Sequence, residues 1–390
     1  MELRNKFLRW SVLLSSLLIA QLAVGQVSYD RILNSKDEPQ NWLTYNGGYM
    51  SQRHSLLQQI DRENVDQLEL KWVLQNQVFG AWQSNPIIVD GIMYVTERPN
   101  SVMAVDAVTG RVFWKYRHQN ADNALVCCGA NNRGVAVLND KVYMGTLDAH
   151  LIALDRINGQ VLWKAEVGDV NRAYSVTMAP LAVKDKIMVG VGGGEFGIRG
   201  YVAAFDAETG EQAWKTYTIP APGEPNHDSW EGDDWEHGGA PVWITGSFDP
   251  DLNLTYWGVG NPGPDWNAGQ RPGDNLYSDS AIALDADTGE LKWHFQFTPN
   301  DAYDYDSVQV PVLADVEWRG ESKKIMMWAN RNGYFYVLDR TNGQFLEGKP
   351  YVKVNWSSGL DENGRPIPSP QPEGMPTYPG NQGGTNWYPP

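Results

Sequence analysis

The sequence predicts an all-β protein whose strands are grouped into the blades of a propeller. Three observations lead there. The 390 residues include 17 Trp, 39 Gly and 23 Pro, a mixture of aromatic and turn-forming residues that favours short strands and tight turns over helices. One pattern recurs along the chain: Ala or another apolar residue, any residue, Asp, two residues, Thr or Asn, Gly, three residues, Trp. Its copies lie near fifty residues apart, the spacing of one small β-sheet unit repeated in series.

The pattern appears at Ala104–Asp106 with Thr109, Gly110 and Trp114, at Ala153–Asp155 with Asn158, Gly159 and Trp163, and at Ala204–Asp206 with Thr209, Gly210 and Trp214. Two further copies are Ala283–Asp285 with Thr288, Gly289 and Trp293, and Val337–Asp339 with Asn342 and Gly343, where Leu346 and Glu347 stand in place of the Trp. The Asp-to-Asp steps are 49, 51, 79 and 54 residues, which reads as one repeated unit with a single insertion of about 28 residues. Alternating runs such as Met93–Val95 and Lys141–Met144 precede the pattern, and Asp-x-x-Thr-Gly reads as a turn between two strands. A four-stranded sheet cannot bury both faces alone, so such units stack radially, and the repeated Trp serves to dock one blade on the next. Five copies end at Pro390 with no closing blade, so the chain reads as the N-terminal portion of a propeller whose last blades are missing.

Residues 1–25 read as an export signal. Arg4, Lys6 and Arg9 form a basic start, Trp10–Ala20 an apolar core, and Ala23–Gly25 offer small residues for cleavage before Gln26. No second apolar run approaches the roughly 20 residues needed to span a bilayer. A periplasmic protein is the expectation, with residues 26–390 as the propeller. The formal charge of −16 and the lack of a Lys/Arg cluster argue against a nucleic-acid partner.

The stretch Thr298–Asp306 carries three carboxylates, Asp301, Asp304 and Asp306, interleaved with Tyr303 and Tyr305. In an extended segment Asp304 and Asp306 point the same way and can share one hard cation, while the tyrosines face the other way and Asp301 need not join them. An acidic surface turn is the plain alternative. Cys127 and Cys128 are the only cysteines, and they are adjacent. A bridge between neighbours would span Cα atoms about 3.8 Å apart and close a strained ring, whereas two buried thiols would need no such ring. The absence of C-x-x-C-H excludes a covalently attached haem within these residues.

The Trp-docking repeats, Cys127–Gly129 with Asn132–Gly134, Gly193–Glu195, Gly260–Pro262, and Asp301 with Asp304 together resemble the quinoprotein alcohol dehydrogenases of the methanol and ethanol family, from about residue 40 to Pro390. The resemblance implies an eight-bladed propeller holding pyrroloquinoline quinone (PQQ) near its axis. The Cys127–Cys128 ring would lie on one face of the quinone and Trp243 on the other. Arg133, Thr177, Gly193, Gly194, Arg331 and Asn386 would contact the cofactor, and Gln83, where some members carry Glu, would give a neutral hydrogen bond. The family's tryptophans from its last blades would lie beyond Pro390.

The implied metal ligands are Glu195, Asn261, Asp304 and, in addition, Asp306, all oxygen donors suited to a hard cation. An acidic residue at position 306 resembles the lanthanide-dependent branch, and one more carboxylate favours a trivalent ion, with calcium the alternative. Asp304 is the implied catalytic base, the metal a Lewis acid, and Arg331 the group that stabilises charge on the quinone oxygens. The reaction expected is oxidation of a primary alcohol to the aldehyde, with electrons passed to a cytochrome c. Methanol, sugars or polyols are alternative substrates, and a non-catalytic scaffold of the cell envelope is the alternative from outside the enzymes. A haem domain after residue 390 and a homodimer are both compatible with the sequence.

Three other features carry less. Gly192-x-Gly194-x-x-Gly197 fits a dinucleotide fingerprint but leads into the strand-like Tyr201–Phe205 where a helix is needed. The six histidines, His54, His118, His150, His227, His237 and His294, show no paired spacing, so no histidine metal site is expected. The acidic run His227–Glu236 falls in the 79-residue step and reads as a solvated loop, with a cap over the site or a partner contact as the alternative.

Overall fold

The computed structural model describes residues 25–389, so the export segment lies, but for Gly25, outside the described residues. Five four-stranded antiparallel sheets follow one another, each in simple up-and-down order. Sheet one is β1 (Ile87–Val89), β2 (Ile92–Glu97), β3 (Ser101–Asp106) and β4 (Val112–Arg117); sheet two is β5 (Ala136–Leu138), β6 (Lys141–Gly145), β7 (His150–Asp155) and β8 (Val161–Glu166). Sheet three is β9 (Leu181–Val183), β10 (Lys186–Gly190), β11 (Tyr201–Asp206) and β12 (Gln212–Tyr217); sheet four is β13 (Ser247–Asp249), β14 (Leu254–Gly258), β15 (Ser280–Asp285) and β16 (Leu291–Gln296). Sheet five is β17 (Val312–Trp318), β18 (Glu321–Ala329), β19 (Tyr334–Asp339) and β20 (Gln344–Pro350), and a hairpin of β21 (Ser357–Leu360) and β22 (Pro366–Pro368) follows. Inner strands such as β6 are buried at every position, and outer strands such as β4 and β8 alternate. Among the described residues no helix is long and apolar enough to cross a membrane.

The repeated pattern is a blade-docking device. Each motif Asp ends the third strand; Asp106 Oδ1 accepts from the backbone N–H of Val108 at 2.9 Å, and Gly110 N–H donates to Asp106 O at 2.8 Å. The indole of one blade then covers the turn of the next. Trp114, Trp163, Trp214 and Trp293 donate from Nε1 to the backbone oxygens of Arg156, Ala207, Ala286 and Arg340. A Cβ on Gly159, Gly210, Gly289 or Gly343 would lie 2.5–2.7 Å from the ring of the corresponding Trp. Glycine is therefore required twice over, by this approach and by φ of +71 to +77°. Each of these Trp residues also faces the motif Ala across its own sheet, as in Ala104↔Trp114, and a bulge follows directly. The motif Ala leaves room for the indole opposite it. Trp72 performs the same docking on blade one, through Ala107 O at 3.1 Å and over Gly110, without the preceding Asp-x-x-Thr-Gly that would reveal it.

The long step is not a single insertion. It is divided between the 218–246 connection and the 259–279 connection inside sheet four. The two excursions brace each other: Trp230 Nε1 donates to Leu276 O at 2.5 Å, Asn275 N to Ser229 O at 2.9 Å, and Leu276 N to Ser229 Oγ at 2.9 Å. Trp230 is buried, while Asp228, Glu231, Asp233 and Glu236 face solvent, so the acidic run is a solvated face on an anchored loop.

Candidate active site

Up-and-down order puts the entry to the first strand, the link between the second and third strands, and the exit from the fourth on one face of every blade. All the site residues expected from the sequence lie in such segments, or in the tail after β22. Gln83, Cys127, Cys128, Arg133, Thr177, Gly193, Glu195, Trp243, Asp304, Asp306, Arg331 and Asn386 line one cavity of about 400 Å³, within the range of cofactor sites. Gly194 and Asn261 stand one layer back. A Cβ on Gly194 would meet Pro241 at 3.0 Å, and Asn261 donates its side-chain amide to Asp265 at 2.9 Å.

One end of the cavity is acidic. Arg331 donates from Nη1 to Asp306 Oδ2 at 2.6 Å, and its Nη2 lies 3.7 Å from Asp304. The other Asp306 oxygen accepts from Trp243 Nε1 at 3.2 Å and from the backbone N of Asn261 at 3.1 Å. Burial first, then the charge of Asp306, pushes the Asp304 carboxyl up to about 8. Glu195 stays accessible from the cavity, yet the protein around it, followed by Asp306 and Asp265, pushes it up to about 7. Burial raises Asp265 as well.

The extended reading of the acidic stretch is corrected. Asp304 is left-handed, with φ +61°, and the segment is an irregular loop. Asp301 builds that loop by accepting from the backbone of Tyr303 at 2.8 Å and Tyr305 at 2.7 Å. Tyr303 and Tyr305 stack on each other at 5.1 Å and pack against Trp356. The Glu195 carboxylate lies within 4.8 Å of both cysteine sulfurs, while Asp306 is engaged by Arg331.

The rest of the lining is cationic and aromatic. Cys127 and Cys128 are joined as a disulfide. Arg133 is buried, donates to Thr177 Oγ1 at 2.8 Å, and lies 4.7 Å from the Trp243 ring centre and 5.7 Å from that of Trp387. Burial lowers its pKa to about 10. Its Nε, the Gln83 Oε1 and the Asn131 Oδ1 are buried without hydrogen-bond partners.

These residues fit the implied groups. A planar ligand bearing carboxylates and carbonyls would meet the free Arg133 donor and the aromatic faces, and a donor on it would meet Gln83 or Asn131. Glu195, Asp304 and Asp306 face the Arg331 guanidinium, an excess of carboxylate oxygen that a hard cation would neutralise.

Sequence reading passes over Asn131, Gln382 and Trp387, which line the cavity, and Asp265 behind it. Trp387 adjoins the expected contact Asn386, and Asp265 lies four residues after Asn261, the available hints. His118 and His150 meet at Asp148, away from this cavity, though their sequence spacing shows no pair.

Residues 42–358 match the family model described as "PQQ: Glucose/ethanol/alcohol dehydrogenase, beta-propeller domain". The chain is 40% identical over 412 residues to quinoprotein alcohol dehydrogenase PedH of Pseudomonas putida, covering 97% of this chain and 69% of that protein. It is 38% identical over 379 residues to the lanthanide-dependent methanol dehydrogenase of Methylacidiphilum fumariolicum, covering 91% and 62%. Among solved structures, quinohemoprotein alcohol dehydrogenase ADHIIG of Pseudomonas putida HK5 superposes with a TM-score of 0.88 at 39% identity, over 93% of this chain and 57% of that one. The chain thus spans 57 to 69% of the length of these three proteins.

Proposed function

The chain belongs to the PQQ-dependent alcohol dehydrogenase family, and from that premise we propose that it oxidises a primary alcohol to the aldehyde in the periplasm. The observation that carries the reading is one cavity lined both by the disulfide, Trp243 and Arg133 and by Glu195, Asp304 and Asp306. When bound, PQQ supplies a two-electron acceptor and the cation a Lewis acid. Arg133 and Thr177 would anchor the cofactor's carboxylates, and Trp243 and the disulfide would bound its faces and exclude water. Glu195, Asn261, Asp304 and Asp306 would hold the cation.

Asp304 is the base that takes the hydroxyl proton. Its carboxyl, pushed up to about 8, holds a proton near neutrality until a cation beside it restores the carboxylate. Arg331 keeps Asp304 and Asp306 in place and offers a fixed positive charge to oxygen atoms that become negative. The alcohol loses two electrons and two protons. A cytochrome c in the same compartment is the proposed final acceptor, and the basic, apolar, small-residue order of residues 1–25 supports export.

For the metal we favour a lanthanide. Asp306 adds a further carboxylate at the cavity wall, and a relative at 38% identity is named as lanthanide-dependent. The test is dye-linked oxidation of ethanol and methanol by protein reconstituted with PQQ and either lanthanum or calcium, alongside Asp306→Ala. Lanthanum-selective turnover lost in Asp306→Ala supports both readings. Calcium turnover indifferent to the substitution overturns the lanthanide, and no turnover or quinone binding with either metal overturns the enzyme.

A further inference from the structure

A second group of ligand-bearing side chains lies at the root of the loop that carries the disulfide. His118 directly follows β4, Asp148 comes from the link between β6 and β7, and His150 opens β7. One ligand atom from each lies within 4.8 Å of the other two. His118 Nε2 is 2.9 and 3.0 Å from the two Asp148 oxygens, and His150 Nδ1 is 3.4 Å from Asp148 Oδ1. Donors on a tetrahedral ion with bonds of about 2.0–2.1 Å stand about 3.3 Å apart, so two edges of this triangle are already near that length.

The Asp148 carboxylate is held in place by Thr146, whose hydroxyl donates to its Oδ1 at 2.6 Å. A plain structural role explains the His118–Asp148 contact. It does not explain His150, whose Nδ1 is buried, faces the same carboxylate and has no hydrogen-bond partner. The His150 side chain keeps 23% exposure, against 7% for His118 and 4% for Asp148, which leaves one side open to a further ligand.

We propose that His118, Asp148 and His150 bind a divalent ion of the zinc class, at a site separate from the acidic cavity. Two imidazole nitrogens with one carboxylate oxygen suit a borderline ion and not calcium or a lanthanide. The ion ties the start of the disulfide loop to blade two. Asp148 already makes part of that tie, since its Oδ2 accepts from Ala121 N at 3.1 Å. The site does not depend on the catalytic reading.

The test is calorimetric titration of chelator-stripped protein with Zn²⁺ in excess Ca²⁺, which occupies the carboxylate sites, together with Co²⁺ absorption in the visible. One Zn²⁺ per chain is expected, with the affinity falling at least tenfold in His150→Gln, and Co²⁺ should develop bands that this variant lacks. His150 loses only its 3.4 Å contact with Asp148, so the metal-free Tm of the variant should fall little; His118→Gln, where a buried pair is broken, is the second variant. Equal zinc affinity in parent and His150→Gln, or no saturable binding near one equivalent, overturns the site.

Discussion

Arg331 lies between Asp304 and Asp306, 2.6 Å from the second and 3.7 Å from the first, so that one guanidinium serves the proposed base and the proposed extra ligand. Arg331 and Asp306 are both nearly buried, at 6% and 9% side-chain exposure. Arg331→Ala would leave Asp306 buried and unpaired, at a cost of about 3–5 kcal/mol. Denaturant unfolding should show that loss in metal-free protein, and added lanthanum should recover part of it by replacing the missing charge.

Asp304→Asn removes the proton acceptor while leaving the side-chain volume unchanged. Dye-linked turnover should fall about 10²–10⁴-fold, with quinone binding followed by absorbance retained. Loss of quinone binding in parallel would instead mark Asp304 as a structural group.

The raised carboxyls give metal-free protein a definite pH dependence. The folded state keeps protons on Asp304 up to about 8 and on Glu195 up to about 7, whereas their ordinary values are 3.8 and 4.5. Between about pH 4 and 8 the unfolded chain binds fewer protons, so stability falls as pH rises through that window. Tm measured from pH 5 to 8 should decline without metal, and saturating lanthanum should flatten the slope by holding both groups ionised.

Gly260 is fixed by its neighbour, because a Cβ there would lie 2.3 Å from Asp306 Oδ1. Gly260→Ala must displace that carboxylate, with a folding cost of about 1–3 kcal/mol. Europium luminescence titration should show at least tenfold weaker binding than the parent, and unchanged affinity would remove Asp306 from the ligand set.

Blade docking can be measured at Trp214. Its ring covers Gly289, its Nε1 donates to Ala286 O at 3.2 Å, and it is 8% exposed. Trp214→Ala should cost about 3–5 kcal/mol in urea unfolding. Gly289→Ala should also destabilise, and the pair should be strongly non-additive because both act on one contact.

The propeller was legible in the sequence because its docking device is local. Asp, Gly and Trp fall within nine residues, the Asp and Gly close their turn by nearby backbone bonds, and the Trp then needs only a copy of the same turn in the next blade. Trp72 escaped since it docks without that preceding turn. Most of the cavity lining was legible through motifs shared with a family, and up-and-down topology explains why loops so far apart in sequence reach one face.

Which side chains meet was decided by the tertiary structure alone. The left-handed Asp304, the Arg331 bridge, Arg133 between Trp243 and Trp387, the two braced excursions, and the meeting of His118 with Asp148 and His150 all depend on irregular loops. Regular strands impose a period that the order of residues reveals. Loop backbones have none, so their side chains find partners only once packing of separate blades has set the distances between them.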